Sequence, residues 1–82
     1  MAKFITSPAG AGNYKILFPK PLPIDMQEYV SLTNKYKFKM IVDKNGKPWK
    51  LSGVICSEEV FVKFLKDKGY DDLTIRDFRK NL

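Results

Sequence analysis

The segment that decides the fold is residues 35–55, KYKFKMIVDKNGKPWKLSGVI, in which two β-prone runs flank Asn45-Gly46. Asn-Gly is the favoured pair at the centre of a type I′ turn, which joins two antiparallel strands through only two residues. Such a turn also fixes the register of the strands, so it predicts that Val42 faces Trp49. The segment therefore predicts a β-hairpin whose two faces can be assigned from the sequence.

Successive side chains of a strand point to opposite faces of the sheet. In the predicted register one face of the hairpin is mainly apolar and carries Tyr36, Phe38, Met40, Val42, Trp49, Leu51 and Ile55. The other face carries Lys35, Lys37, Lys39, Ile41, Lys50, Ser52 and Val54. We expect the first face to be core and the second to be solvated. Pro48 has no N–H to donate, which predicts that its strand is an edge of the sheet near this residue.

The N-terminal part of the chain predicts a second pair of strands and a helix. In chain order we expect strands at 3–6 and 14–18, a mobile glycine-rich tip between them at 7–13, and an extended proline-rich connector at 19–23. A helix is predicted over 26–34, with Asp25 as its N-cap and Glu28 three residues further on.

The C-terminal part predicts two more helices. Ser57 is expected to cap the first of them, which ends at Gly69 and buries the stripe Val60, Phe61, Phe64 and Leu65. A short third helix is predicted over 75–81 with Thr74 as its cap, and an edge strand at 72–78 is the alternative. Residues 1–82 are therefore expected to form a single compact α+β domain. Its small antiparallel sheet would have three or four strands, with two or three short helices packed on one face.

Composition excludes several classes of function. The chain has 82 residues, one Cys and no His, so Ser-His-Asp or Cys-His catalysis and histidine-ligated zinc are excluded. No cofactor motif is visible, and we expect a non-catalytic protein without a cofactor or metal. Cys56 is expected to be a buried, unreactive thiol. The apolar runs are far too short to span a bilayer, and a lone Cys fits a reducing compartment, so we expect a cytoplasmic protein.

Charge suggests a function, because most of the net charge of +6 lies on the predicted hairpin. Residues 35–50 carry six lysines against one acid, Asp43. The predicted partner-binding residues are Lys35, Lys37, Lys39, Lys44, Lys47 and Lys50. We expect them to contact an anionic partner, either nucleic-acid phosphates or an acidic protein face, with little sequence preference because no aromatic side chain lies among them.

Besides a minimal enzyme that uses paired carboxylates, two alternatives to this hypothesis remain open. The lysines would in one case only solvate the outer face and protect an edge strand from aggregation. In the other, the protein is a protein–protein regulator or inhibitor, of the kind that phages and mobile elements carry. It would dock through an exposed strand edge or helix face.

Overall fold

The computed structural model describes residues 4–82, which form a four-stranded antiparallel sheet and three α-helices. The strands are β1 (Ile5–Gly10), β2 (Asn13–Ile24), β3 (Lys39–Asp43) and β4 (Trp49–Ser57). The helices are α1 (Met26–Tyr36), α2 (Glu58–Asp67) and α3 (Asp72–Lys80). The strand order is β1-β2-β4-β3, so β2 and β4 are the central strands. The predicted small α+β fold is confirmed.

The first two helices begin where their capping residues predict. The side chain of Asp25 accepts a hydrogen bond from the backbone N–H of Glu28 at 2.7 Å, and the Ser57 hydroxyl accepts one from the N–H of Val60 at 3.3 Å. Gly69 stands just past the end of α2 with a φ of +86°, as a helix-stopping glycine should. Because these signals involve neighbours in the sequence, they could be recognised without knowledge of the fold.

The third helix begins earlier than predicted, because Asp71 and not Thr74 is its N-cap. The Asp71 carboxylate accepts a hydrogen bond from the backbone N–H of Thr74 at 2.8 Å. Hydrogen bonding from Thr74, first through its side chain and then through its backbone N–H, holds the pKa of Asp71 below its ordinary value. Aspartate is at least as good an N-cap as threonine, and this start places Ile75 and Phe78 on the buried face. The alternative of an edge strand at 72–78 is wrong.

The first hairpin has a shorter turn and longer strands than predicted. Only Ala11 and Gly12 form the turn, both with positive φ as a type I′ turn requires, and Gly10 pairs directly with Asn13. Residues 7–10 of the predicted tip therefore belong to β1. The predicted connector, residues 19–23, belongs to β2, whose last residues pair with β4 after an irregular stretch that contains two prolines without N–H donors. Lys3 of the predicted first strand lies outside the described residues.

The second hairpin exists, but its turn and register differ from the prediction. Val42 pairs with Leu51 and not with Trp49, so residues 44–48 form a loop longer than a two-residue turn. Gly46 has the expected positive φ of +96°, but Asn45 does not share it, and type I′ geometry needs both. The N–H of Asn45 instead donates to the Asp43 carboxylate at 2.9 Å, which forms a competing side-chain turn.

A bulge in β4 changes the predicted faces beyond Leu51. Ile41 pairs with Gly53 while Val42 pairs with Leu51, which leaves Ser52 as an extra residue on β4. As a result Val54 lies on the core face with no exposed surface, and Ile55 points to the opposite side. The predicted placements of Val54 and Ile55 are therefore wrong.

The prediction that Pro48 marks an edge strand is also wrong. The residue lies in the loop just before β4, and β4 is covered on both sides, by β3 and by β2. The proline-rich end of β2 supplies the second neighbour, since Ile24 pairs with Trp49. The edges of the sheet are β1 and β3.

All three helices pack on one face of the sheet. Their buried side chains, among them Leu32 of α1, Phe61 of α2 and Phe78 of α3, share one core with Ile16 and Val54 of the central strands. The hydroxyl of Thr6, on the core side of β1, donates to the backbone carbonyl of Asn81 at 2.8 Å and ties β1 to the end of α3. Within residues 4–82, the opposite face of the sheet, here called the outer face, is left uncovered.

Candidate functional site

An apolar row crosses the outer face from one edge strand to the other. Ile5 of β1 pairs with Leu17 of β2, Leu17 pairs with Gly53 of β4, and Gly53 pairs with Ile41 of β3. Ile5 is 65% exposed, and Leu17 and Ile41 are half-buried among their neighbours. This face of the sheet thus has an accessible apolar centre that no helix of the described chain covers.

Lysines flank the apolar row on both sides. On one side Ile55 of β4 pairs with Lys15 of β2 and with Lys39 of β3. On the other side Lys50 of β4 pairs with Asp43 of β3. All three lysines are exposed. We call this surface the basic sheet face: Ile5, Lys15, Leu17, Lys39, Ile41, Lys50 and Ile55.

Charge is segregated between the two layers of the fold. The sheet layer, residues 4–24 and 37–57, carries seven lysines against the single acid Asp43. The helix layer, residues 25–36 and 58–82, has a net charge of −1. The three ion pairs in residues 4–82 all lie in the helix layer: Lys35–Asp67, Lys68–Glu28 and Arg79–Glu58. Within residues 4–82, the lysines of the sheet layer therefore take part in no ion pair.

The structure brings together only some of the predicted site residues. Lys39 and Lys50 lie on the basic sheet face, as expected. Lys37 is not in a strand: it caps α1 with a φ of +56°, and with Lys39 it lines a pocket of about 410 Å³ at one corner of the sheet. Lys35 lies in the last turn of α1, where its ammonium is 3.4 Å from the Asp67 carboxylate.

The two remaining lysines, in the loop between β3 and β4, face α1. The Lys44 ammonium lies 5.0 Å from the ring centroids of both Tyr29 and Trp49, an arrangement typical of cation–π contacts. Lys47 lines a smaller pocket, of about 270 Å³, together with Met26 and Trp49. These lysines are therefore not part of the flat surface formed by Lys15, Lys39 and Lys50.

Ile41 was predicted on the same face as Lys39 and Lys50, but Ile5, Lys15 and Leu17 of this surface lie outside the predicted hairpin. Their sequence signal is the alternation in residues 13–17, where Lys15 and Leu17 share one side of the strand and Ile16 takes the other. That signal says which residues share a face of β2. It does not say that β2 lies beside β4, so it could not join Lys15 to Lys39.

No group of three or more His, Cys, Asp or Glu side chains in residues 4–82 is placed to hold a metal ion. Cys56 is buried on the core face, as predicted, and burial raises the pKa of its thiol to about 11. No helix in this part of the chain is long and apolar enough to cross a membrane.

Comparison of the chain with protein-family models, with curated proteins and with solved structures finds no match. Function is therefore inferred from the geometry and charge of the basic sheet face.

Proposed function

We propose that this protein is a non-catalytic binding module that holds an anionic partner on its basic sheet face. The observation that carries this proposal is the segregation of charge. The lysines of the sheet layer have no ion-pair partner in residues 4–82, while the ion pairs of that part of the chain lie in the helix layer. A patch of one sign attracts an oppositely charged partner and accelerates association.

The composition of the face favours recognition of charge over recognition of bases. Within residues 4–82 no strand residue that points to the outer face is aromatic, because the aromatic side chains of the strands, Tyr14, Phe18 and Trp49, pack against the core. Binding to single-stranded nucleic acid usually uses aromatic rings on which the bases stack. A partner of this face is therefore bound through its negative groups and its shape.

A heparin column with matched charge-reversal variants tests this proposal. The sheet variant carries Lys15→Glu, Lys39→Glu and Lys50→Glu, and the control variant carries Lys63→Glu, Arg76→Glu and Lys80→Glu on the helices. Each variant changes the net charge by the same amount, so only the position of the changed charges differs. Circular dichroism and thermal unfolding check that both variants remain folded.

We expect the sheet variant to leave heparin at a clearly lower salt concentration than the control variant, because attraction to a polyanion depends on how many clustered cations contact it. Equal elution of the two folded variants would show that only net charge matters and would overturn the proposal. The next candidate binding surface would then be the flank of α1, where Met26 and Val30 are at least half exposed.

A further inference from the structure

On the basis of the proposed function, we propose that the occupant of the basic sheet face is an acidic amphipathic helix of a partner protein. The apolar side of that helix lies on the row formed by Ile5, Leu17 and Ile41. Acidic side chains along its two flanks reach Lys15 and Lys39 on one side and Lys50 on the other.

The spacing of the face fits a helix. Same-face residues on a strand stand about 7 Å apart, so Lys15 and Lys39 on one side of the apolar row and Lys50 on the other, one step away each, are roughly 13 Å apart. An α-helix with its side chains is about 10–12 Å wide, and residues on its two flanks point to either side of an apolar stripe. A helix that follows the row therefore places acids of one flank opposite Lys15 and Lys39 and acids of the other flank opposite Lys50.

The apolar row itself argues for a protein and against a nucleic acid. Burial of Ile5 and Ile41 gains free energy only when the covering surface is also apolar. A phosphate backbone offers no such surface, and the face has no aromatic ring on which a base could stack. The chemistry that satisfies both the apolar row and the lysines is a segment with an apolar stripe between acidic flanks.

A second copy of this chain does not fit the face equally well. Two basic sheet faces brought together would place lysines opposite lysines, which opposes association. The helix layer has exposed acids but also exposed bases, with a net charge of only −1, so it offers weak electrostatic complementarity. The partner is therefore a different, acidic chain.

The probe is a designed peptide of about 18 residues, long enough as a helix to cross the four strands. It carries leucines in one helical stripe, glutamates on both flanks, and alanine and glutamine elsewhere. A scrambled peptide of the same composition keeps the charge and loses the stripe. Binding of each labelled peptide to the full chain is measured by fluorescence anisotropy, with a 20-base-pair DNA duplex as a third probe.

Two variants test the apolar row. Ile5→Ser changes a largely exposed side chain and should leave the fold intact, and Ile5→Ser with Ile41→Ser removes both ends of the row. The matched control is Met26→Ser with Val30→Ser, which removes two exposed apolar side chains from α1. We expect the double row variant to bind the amphipathic peptide at least ten times more weakly, the single variant several times more weakly, and the control as the unchanged protein does.

We also expect the scrambled peptide to bind at least ten times more weakly than the amphipathic one. Equal binding of the two peptides, or no effect of Ile5→Ser, would overturn the inference. If the DNA duplex binds more tightly than the amphipathic peptide, and if Ile5→Ser does not change the affinity for the duplex, the occupant is a nucleic acid. In that case the lysines still bind an anion and the proposed function stands. Equal elution of the two folded charge-reversal variants from heparin, in contrast, would overturn both the proposed function and this inference.

Discussion

Gly53 lies where β2 and β4 approach too closely for any side chain. A Cβ atom at this position would stand 2.4 Å from the backbone oxygen of Ile16 and 3.0 Å from a methyl carbon of Leu17. Because the first of these atoms belongs to the backbone, the two strands would have to move apart. We expect Gly53→Ala to lower the free energy of unfolding by about 1–3 kcal/mol, measured by urea unfolding.

Ser52→Ala is the matched control for this substitution, because Ser52 is the extra residue of the same bulge and already has a Cβ. It should change stability by less than about 0.5 kcal/mol. If Gly53→Ala proves as stable as the control, the two central strands do not approach as closely as described.

Besides Lys37, Ala11 is the residue other than glycine in the described chain whose backbone has a positive φ. Its φ of +54° lies in the left-handed region, which costs most L-residues about 1–2 kcal/mol and which asparagine adopts more readily. We expect Ala11→Asn to raise the free energy of unfolding by about 1 kcal/mol, since Asn-Gly suits a type I′ turn better than Ala-Gly. The control is Ala9→Asn, two positions earlier and within β1, which should not raise the free energy of unfolding. An equal increase from both substitutions would show that the positive φ of Ala11 is not the cause.

At the scale of elements, a hydrogen bond between two side chains joins α1 to α2, next to the ion pairs Lys35–Asp67 and Lys68–Glu28. The Tyr36 hydroxyl donates to the Asp67 carboxylate at 2.6 Å. Burial, followed by this hydrogen bond and the negative charge of Asp67, raises the pKa of Tyr36 to about 12. The same hydrogen bond, helped by Lys35 and Lys63, holds the pKa of Asp67 below its ordinary value. The two helices are thus connected by a pair of groups that titrate far from neutral pH.

The stabilising effect of this pair has a defined pH dependence. Because Tyr36 holds its proton more tightly in the folded state, its contribution is complete below about pH 10 and is lost as the pH rises toward 12. The contribution of Asp67 is present above the pKa of an unfolded aspartate, about 3.9, and is lost as the pH falls below it. We expect Tyr36→Phe to remove the Tyr36 part of the alkaline loss and to weaken the acidic one, measured by urea unfolding across pH.

Tyr70→Phe is the control for the alkaline experiment, because Tyr70 is the more exposed tyrosine and takes no part in the pairing of α1 with α2. Its stability curve should keep the shape of the unchanged protein. Identical curves for the Tyr36→Phe and Tyr70→Phe variants would mean that the hydrogen bond to Asp67 makes no contribution.

The elements differ in how well the sequence predicts them. The starts of α1 and α2 depend on a capping side chain and an N–H three residues away, so Asp25 and Ser57 were sufficient to locate them. The second hairpin was harder, because its register depends on competition between Asn45-Gly46 and the carboxylate of Asp43. No local sequence pattern predicts the bulge at Ser52. Because this extra residue reverses the alternation of faces beyond it, Val54 is buried and Ile55 is not.

At the scale of the whole molecule, the lysine content of residues 35–50 predicted that the charge is concentrated, but not the surface on which it lies. Lys39 and Lys50 were assigned to one face correctly because both belong to a single hairpin. Lys15 joins them only because β2 lies beside β4, a pairing between distant parts of the chain. Local patterns therefore predicted the fold class and part of the candidate site, and long-range pairing determined the remainder.

The strand order has a consequence for how the chain folds. β1 with β2 and β3 with β4 are hairpins between strands adjacent in the chain, and each can form through local contacts. The pairing of β2 with β4 instead brings Asn13 beside Ser57 and must close a loop that contains α1 and β3. Closing such a loop costs chain entropy before its contacts are gained, which slows folding. The encounter of two preformed hairpins, joined along their central strands, is therefore the step that we expect to set the folding rate.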